Sequence, residues 1–502
     1  MSPELLITLI MIVPLIIAGG IGASGKVPNI REAVTLIGAA ILFGLVLMLV
    51  MEVATGTRPE LVLGEAAPGL SFAFKVEPLG ALFAVVASGL WIVNSFYSIG
   101  YMRGNRERNQ TRFYICFAIA IFGAMGVAMA GNLFTLFVFY EVLTLSTYPL
   151  VTHKGDAAAQ RGGRIYLLTL LATSIGLFLA GIMWTWALAG NSLAFVDGGL
   201  LAGANISPAV ASALLVLFAF GVGKAGLMPV HFWLPNAMVA PTPVSAFLHA
   251  VAVVKAGVFT LLKIAMYIFG ADLLASTPAR EFIMWTACFT IIVASLVAMT
   301  KDNLKARLAY STVAQLAYVT AGAMLANQAG FLGGGLQIAA HAAGKMTLFM
   351  CAGAIYVATG MSNISDMRGL GRKMPIVFIA FFVAALSIIG IPPLAGGWPK
   401  YQLMQGAMYS GETYVLWILI GSSLLNIIYL LPIPILALMP PPGTPEPKPF
   451  KRAGGAPFLT VAAPVFTASL CVVIFFFAGD IANFLAPAVS GGTATSIIGA
   501  QP

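Results

Sequence analysis

Five charged side chains in this sequence stand where charge is costly. Lys224, Lys255, Lys345 and Lys400 each interrupt an apolar run, and Glu141 does so within FYEVLTLSTYPL. A charge at the centre of a hydrocarbon layer costs roughly 3 kcal/mol on insertion scales, so such residues point to an ion path. Two histidines accompany them. His249 precedes Lys255 by about a turn and a half of helix, and His341 and Lys345 are four apart, hence on one helix face. Amines, imidazoles and a carboxyl group can hand protons along, whereas Na⁺ prefers several oxygen ligands. An unpaired buried carboxylate takes up a proton, and an adjacent ammonium keeps it ionised. Lys224 is the natural partner of Glu141, since at ~4 Å and an effective dielectric of about 20 their attraction is about 4 kcal/mol. Closing that pair holds the lysine charged, and opening it releases a proton. The same residues also admit a static salt bridge, and the histidines also admit a role as hydrogen-bonded core residues. His231, beside Pro229, is either a mouth residue or a satisfied polar group. His153 is expected in solvent, and Lys263, near the end of its segment, is expected to snorkel.

Spacing excludes several other chemistries. GLQIAAHAAGKM lacks the glycine and hydroxyl residue of a phosphate loop, and no HExxH motif, catalytic carboxylate pair or nucleophile elbow is present. The four histidines are too few and too scattered for haem ligation. Cys116, Cys288, Cys351 and Cys471 lie far apart in apolar segments and are expected to be free, buried thiols. No cofactor and no bound metal is expected, and no catalytic residue is assigned.

The elements that carry these residues are helices in a bilayer. Of the 502 residues 60% are hydrophobic and 9% charged, against about 25% charged in a soluble domain. Runs near 20 apolar residues, each long enough to span a membrane, give about fourteen transmembrane helices and an all-α membrane fold. The seventh run is interrupted at Pro229 and the twelfth at Pro392–Pro393, where proline removes a donor and clashes with the preceding turn. Irregular backbone at membrane depth is tolerated where it lines a cavity or is buried in protein. The interruptions are five helices apart, so helices 4–8 and 9–13 are expected to be two inverted five-helix repeats, with broken helices 7 and 12. The expected divisions are an N-terminal three-helix segment (1–110), a first repeat (111–270), a second repeat (271–440) and a linker with a C-terminal helix (441–502). The linker contains PPPGTPEPKPF, which cannot be helical. The start, MSPELLITLIMIVPLIIAGG, lacks the basic region of a secretory signal and reads as a retained first helix.

Charge sets the expected orientation. With the N-terminus outside, 18 lysines and arginines fall in inner loops and only Arg58, Lys75 and Arg280 in outer ones. That bias predicts both termini outside and accounts for the net charge of +9 without nucleic acid.

FVFYEVLTLSTYPLV, GKAGLMPVHFWLPNAMVAPTPVSAFLHAVAVVKAGVF, KDNLKARLAYSTVAQLAYV, HAAGKMTLF and GIPPLAGGWPK occur in that order. This series resembles the antiporter-like proton-conducting membrane subunits shared by Mrp-type Na⁺/H⁺ antiporters, respiratory complex I and membrane-bound hydrogenases. The resemblance covers about residues 70–430. It implies that Glu141 is the family's helix-5 glutamate, Lys224 its helix-7 lysine and Lys255 its helix-8 lysine or histidine. Lys345 matches its helix-11 lysine and Lys400 its helix-12 lysine or glutamate. It also implies a fourteen-helix core with inverted repeats and a hydrated axis along the membrane plane. The length, about 500 residues, looks like the D subunit of the Mrp antiporters or the shorter complex I subunits, whereas FLHAVAVVKAGVF looks closer to the large-subunit branch.

The expected function is that of a D-like, proton-translocating subunit of a multisubunit monovalent cation (Na⁺)/H⁺ antiporter in a bacterial inner membrane. Its proton-transfer residues are Glu141, Lys224, Lys255, His249, His341, Lys345 and Lys400. Its partners are other antiporter subunits, protons, Na⁺ and the lipid bilayer. The alternatives are a proton-pumping membrane subunit of a complex I-like NADH-quinone oxidoreductase or membrane-bound hydrogenase, and a non-conducting scaffold.

Overall fold

The computed structural model describes residues 2–67, 70–440 and 455–489, without the side chains of His249 and Ala250; the proline-rich stretch 441–454 lies outside the described residues. Helix starts follow local chemistry. Proline occupies the first turn of α1 (Pro3–Ala23), α2 (Pro28–Ala54) and α3 (Pro78–Gly104), where its missing N–H costs nothing. After α4 (Gln110–Met129), Asn132 caps α5 (Leu133–Val151) by accepting from the Thr135 N–H at 2.7 Å. Asp156 caps α6 (Ala157–Leu188) by accepting from the Ala159 N–H at 2.7 Å.

The chain then breaks at membrane depth. Helix α7 (Pro208–Gly221) stops, and short turns occupy residues 223–239. The next helix, α8, spans residues 242–269 and includes π turns at Leu248–Ala252 and Ala265–Phe269. Beyond it run α9 (Ala279–Thr300), α10 (Leu304–Met324) and α11 (Gln328–Thr359). The second break separates α12 (Pro375–Ile389) from α13 (Gly397–Tyr409), followed by α14 (Thr413–Leu438), α15 (Phe458–Phe476) and the short α16 (Ala478–Val489).

Ten of these helices are long and apolar enough to cross a membrane: α1 to α6, α9, α11, α14 and α15. The four further crossings expected from sequence correspond to α7 with its turns, α8, α10, and α12 with α13. The protein is thus an all-α membrane protein interrupted at the two proline sites. Helix α11 is buried along its membrane-crossing length, whereas α1, α2, α14 and α15 turn much of their apolar surface outward. A helix that is apolar on all sides belongs either inside the bundle or against lipid, and both kinds occur here.

One element was not foreseen. Residues 55–77 read as a plain loop, yet β1 (Glu60–Ala67) and β2 (Leu70–Lys75) form an antiparallel hairpin with Glu60 opposite Lys75. Glu60 and Lys75 also make an exposed ion pair at 2.8 Å, which adds little to stability. At the other end of the bundle, Arg103 and Arg31 both contact Glu32. Arg31 and Glu32 are buried on α2 rather than lying in a loop.

Candidate functional site

Both breaks are stabilised by side chains that take up the freed backbone groups. At the first, the Trp233 indole N–H donates to the Gly223 carbonyl at 2.9 Å. The Lys224 N–H donates to the Tyr140 hydroxyl at 3.1 Å. Gly257 lets α8 press against this turn, since a Cβ there would meet the Ala225 amide nitrogen at 2.3 Å. At the second, α12 ends at Gly390, whose φ is +95°. Lys400 donates to the freed Ile389 carbonyl at 2.7 Å and to the Ser423 hydroxyl at 2.8 Å. A cation at a helix C-terminus also answers the helix dipole.

Lys224, Lys255 and Lys345 have no solvent exposure, and His341 and Lys400 are almost completely buried. Each polar head has a neutral partner. The Lys224 ammonium donates to the Tyr140 carbonyl and lies 3.2 Å from the centre of the Tyr140 ring. Lys255 and His341 Nδ1 form a direct hydrogen bond between α8 and α11. His341 Nε2 is buried with no hydrogen-bond partner. Lys345 donates to the Ser311 hydroxyl, which is 2.7 Å from the Tyr429 hydroxyl, itself bonded to Asn426. Lys400 lies 5.2 Å from the centre of the Tyr318 ring.

A narrow gap lies between His341 and Lys400. His341, Gln315, Gln337, Ser387 and Lys400 line it, and Gln337 donates to Gln315 at 2.8 Å. On the face carrying the arginine-rich loops, a polar cavity of about 260 Å³ opens between Tyr101, Lys154, Thr242, Lys305 and Tyr356. Thr242 is the first residue of α8, so this cavity abuts the helix that carries Lys255.

Glu141 and Lys224 are brought close, but they form no contact ion pair among the described residues. Both Glu141 oxygens are buried without a hydrogen-bond partner. His249 lies in the first π turn of α8, and its side chain falls outside the described residues.

Two residues, Lys263 and His153, depart from expectation. Lys263 does not snorkel: it is fully buried and pairs with Glu77 at 2.6 Å. Sequence spacing gave no sign of this pair, since 77 and 263 are joined only through the packing of α3 against α8. His153 is buried rather than solvated. Its ring meets Phe113 edge-on at 5.5 Å, and burial together with the nearby Arg112 holds its pKa down at about 4. His231 is half-buried at the first break, with Nδ1 3.3 Å from the Pro229 carbonyl. The four cysteines are free, Cys116 being only partly buried.

Fold and comparison with known proteins define the class: this is a multi-pass membrane subunit of the antiporter-like kind. The chain belongs to the NADH:quinone oxidoreductase/Mrp antiporter transmembrane family, whose profile matches residues 130–426. Among its relatives, NADH-quinone oxidoreductase subunit N of Desulforudis audaxviator is 31% identical over 425 residues, 84% of each chain. Na(+)/H(+) antiporter subunit A1 of Staphylococcus haemolyticus is 31% identical over 358 residues, 67% of this chain and 43% of that one. The match likewise spans only 50% of NAD(P)H-quinone oxidoreductase chain 5 of Synechocystis sp.. A chain of the Mrp complex from Dietzia sp. shares the fold at a TM-score of 0.81 and 20% identity, over 97% of this chain and 98% of that one. A chain of respiratory complex I from Thermus thermophilus does so at 0.74 and 24%, over 96% of this chain and 100% of that one.

Proposed function

We propose that this chain is the proton-conducting, D-like subunit of a multisubunit Na⁺/H⁺ antiporter in a bacterial inner membrane, with the arginine-rich loops on the cytoplasmic side. The observation that carries the reading is the buried row Lys224, Lys255–His341, Lys345 and Lys400, in which amines meet neutral acceptors. A buried amine with only neutral partners lacks the carboxylate that would fix it as an ammonium. Such a group can load and release a proton when a neighbouring charge moves.

Protons reach the row from the polar cavity at Lys154 and Lys305. Lys255 and His341 exchange one directly. The gap beside Gln315 and Gln337 carries transfer to Lys400 when it widens to admit water, and Lys345 with Ser311, Tyr429 and Asn426 tunes that segment. Closure of Glu141 onto Lys224 holds a proton there, and the open form releases it. His249 is included as a relay on α8. The residues fall into a first unit at 111–270 and a second at 271–440, each with one broken helix, between an N-terminal segment (1–110) and the remainder (441–502).

A single carboxylate beside the Lys224 break is a poor cage for Na⁺, so the cation route lies wholly or partly in partner subunits. Lysine rather than glutamate at 400 argues against one of the complex I branches that the chain resembles. The alternative, a pumping subunit of a quinone-reducing complex, is favoured by the 84% two-way coverage with a subunit N. Reconstitution of this chain alone in proton-loaded vesicles should give proton conductance without sodium exchange. Robust ²²Na⁺ exchange by the isolated chain would overturn the proposal. Hydrogenase-like or NADH-oxidising partners in the purified complex would favour the alternative.

A further inference from the structure

Lys255 and Lys263 share α8, eight residues and about 12 Å apart along its axis. Phe259 lies between them, one turn from each. Its ring contacts Phe83 of α3 with centroids 5.1 Å apart, and the Lys263 ammonium lies 5.5 Å from its centre. Lys263 is fully buried, and Glu77, at the start of α3, is only 7% exposed. The Lys263 ammonium and Glu77 Oε1 approach to 2.6 Å as an ion pair. The same ammonium donates to the Ala130 carbonyl at 2.6 Å, beyond the end of α4. It also lies 4.3 Å from the centre of the Phe195 ring. The Tyr267 hydroxyl, on the same helix, is buried without a hydrogen-bond partner. The other charges that act on this site are Arg58, Lys75 and Asp197, on the hairpin side and the loop before α7.

A buried ion pair contributes little to stability compared with an apolar pair of the same volume, so docking α3 to α8 does not require one. Its place does suggest a use. It lies at the hairpin end of α8, opposite the polar cavity at Lys154 and Lys305, with Lys255 between the two.

Resting on the reading of the row as a proton path, we infer that Glu77 and Lys263 form its terminal exchange site toward the face bearing the β hairpin. The Lys263 ammonium gives its proton to the Glu77 carboxylate, leaving a neutral amine and a carboxylic acid. Glu77 then releases that proton to water on the hairpin side, and Lys263 takes the next one arriving from Lys255.

The test is proton flux in vesicles holding the complete complex, with Lys224→Ala as the reference variant. Lys263→Arg keeps the charge and the contact but does not deprotonate near neutrality. Glu77→Gln with Lys263→Met leaves a neutral pair of similar volume. The inference predicts that both lower flux at least tenfold while the complex assembles at wild-type level. It also predicts that Glu77→Gln alone flattens the dependence of flux on pH at the hairpin face, which a mere latch would not do. Wild-type flux in an assembled Lys263→Arg or double variant, with Lys224→Ala inactive, overturns the exchange site and leaves the row standing. Wild-type flux in Lys224→Ala as well overturns the row itself. If one of the two variants fails to assemble, the other decides.

Discussion

Tyr140 serves Lys224 three times over, through its carbonyl, its ring and its hydroxyl, while Glu141, the next residue, leaves both oxygens unpaired. That division keeps the contacts that hold the lysine separate from the carboxylate. The amines and Glu141 were legible in the sequence because charge inside apolar runs is conspicuous. Their acceptors were not: a backbone carbonyl or a serine across the bundle carries no pattern of its own. The Glu77–Lys263 pair was hidden for the same reason. His153 was misread because a polar residue between helices usually meets water, whereas Phe113 covers this one. Its burial makes a pH prediction. Native His153 stays neutral down to a pKa of about 4, whereas in the unfolded chain it protonates near about 6.5. Stability is therefore full above pH ~6.5 and falls between there and pH ~4, by at most about 3 kcal/mol. Unfolding midpoints in detergent should drop over that window, and His153→Phe should flatten the drop. An equal drop in the variant would remove His153 as its source.

At the scale of elements, prolines marked both broken regions, because a missing N–H and a clashing ring disfavour a continuing helix, although Pro14, Pro149 and Pro464 sit inside helices and α7 already ends at Gly221, ahead of Pro229. The breaks hold their place through close backbone contact. Gly257 is a case in point: with its Cβ position 2.3 Å from the Ala225 nitrogen, any larger residue must push α8 off the Lys224 turn. Gly257→Leu should cost about 1–3 kcal/mol or more through overpacking, read as a lowered melting temperature of the solubilised protein. An unchanged melting temperature would show that α8 does not depend on that contact. The β hairpin escaped the sequence reading because ELVLGEAA and LSFAFK are short and only weakly alternating. The π turn Ser174–Phe178 within α6 and the two of α8 have no residue signature at all. Helix α10 was read as a crossing although it is less apolar than the ten clear spans. Its polar residues Ser311, Gln315 and Tyr318 serve the row rather than solvent.

For the whole molecule, the concentration of most loop arginines and lysines at one end and the β hairpin at the other define two faces, with the buried amines between them. Fold class and family were readable from composition and ordered motifs; which complex the chain joins was not, because that lies on surfaces other subunits cover. The central claim is that the buried amines conduct protons, and Lys255 is the place to test it, since among the described residues it is the lysine of the row that bonds directly to another titratable member, His341. The deciding measurement is proton flux through the assembled complex in proteoliposomes, wild type against Lys255→Met at equal assembly. The account predicts a loss of at least tenfold in the variant. Flux equal to wild type would contradict it.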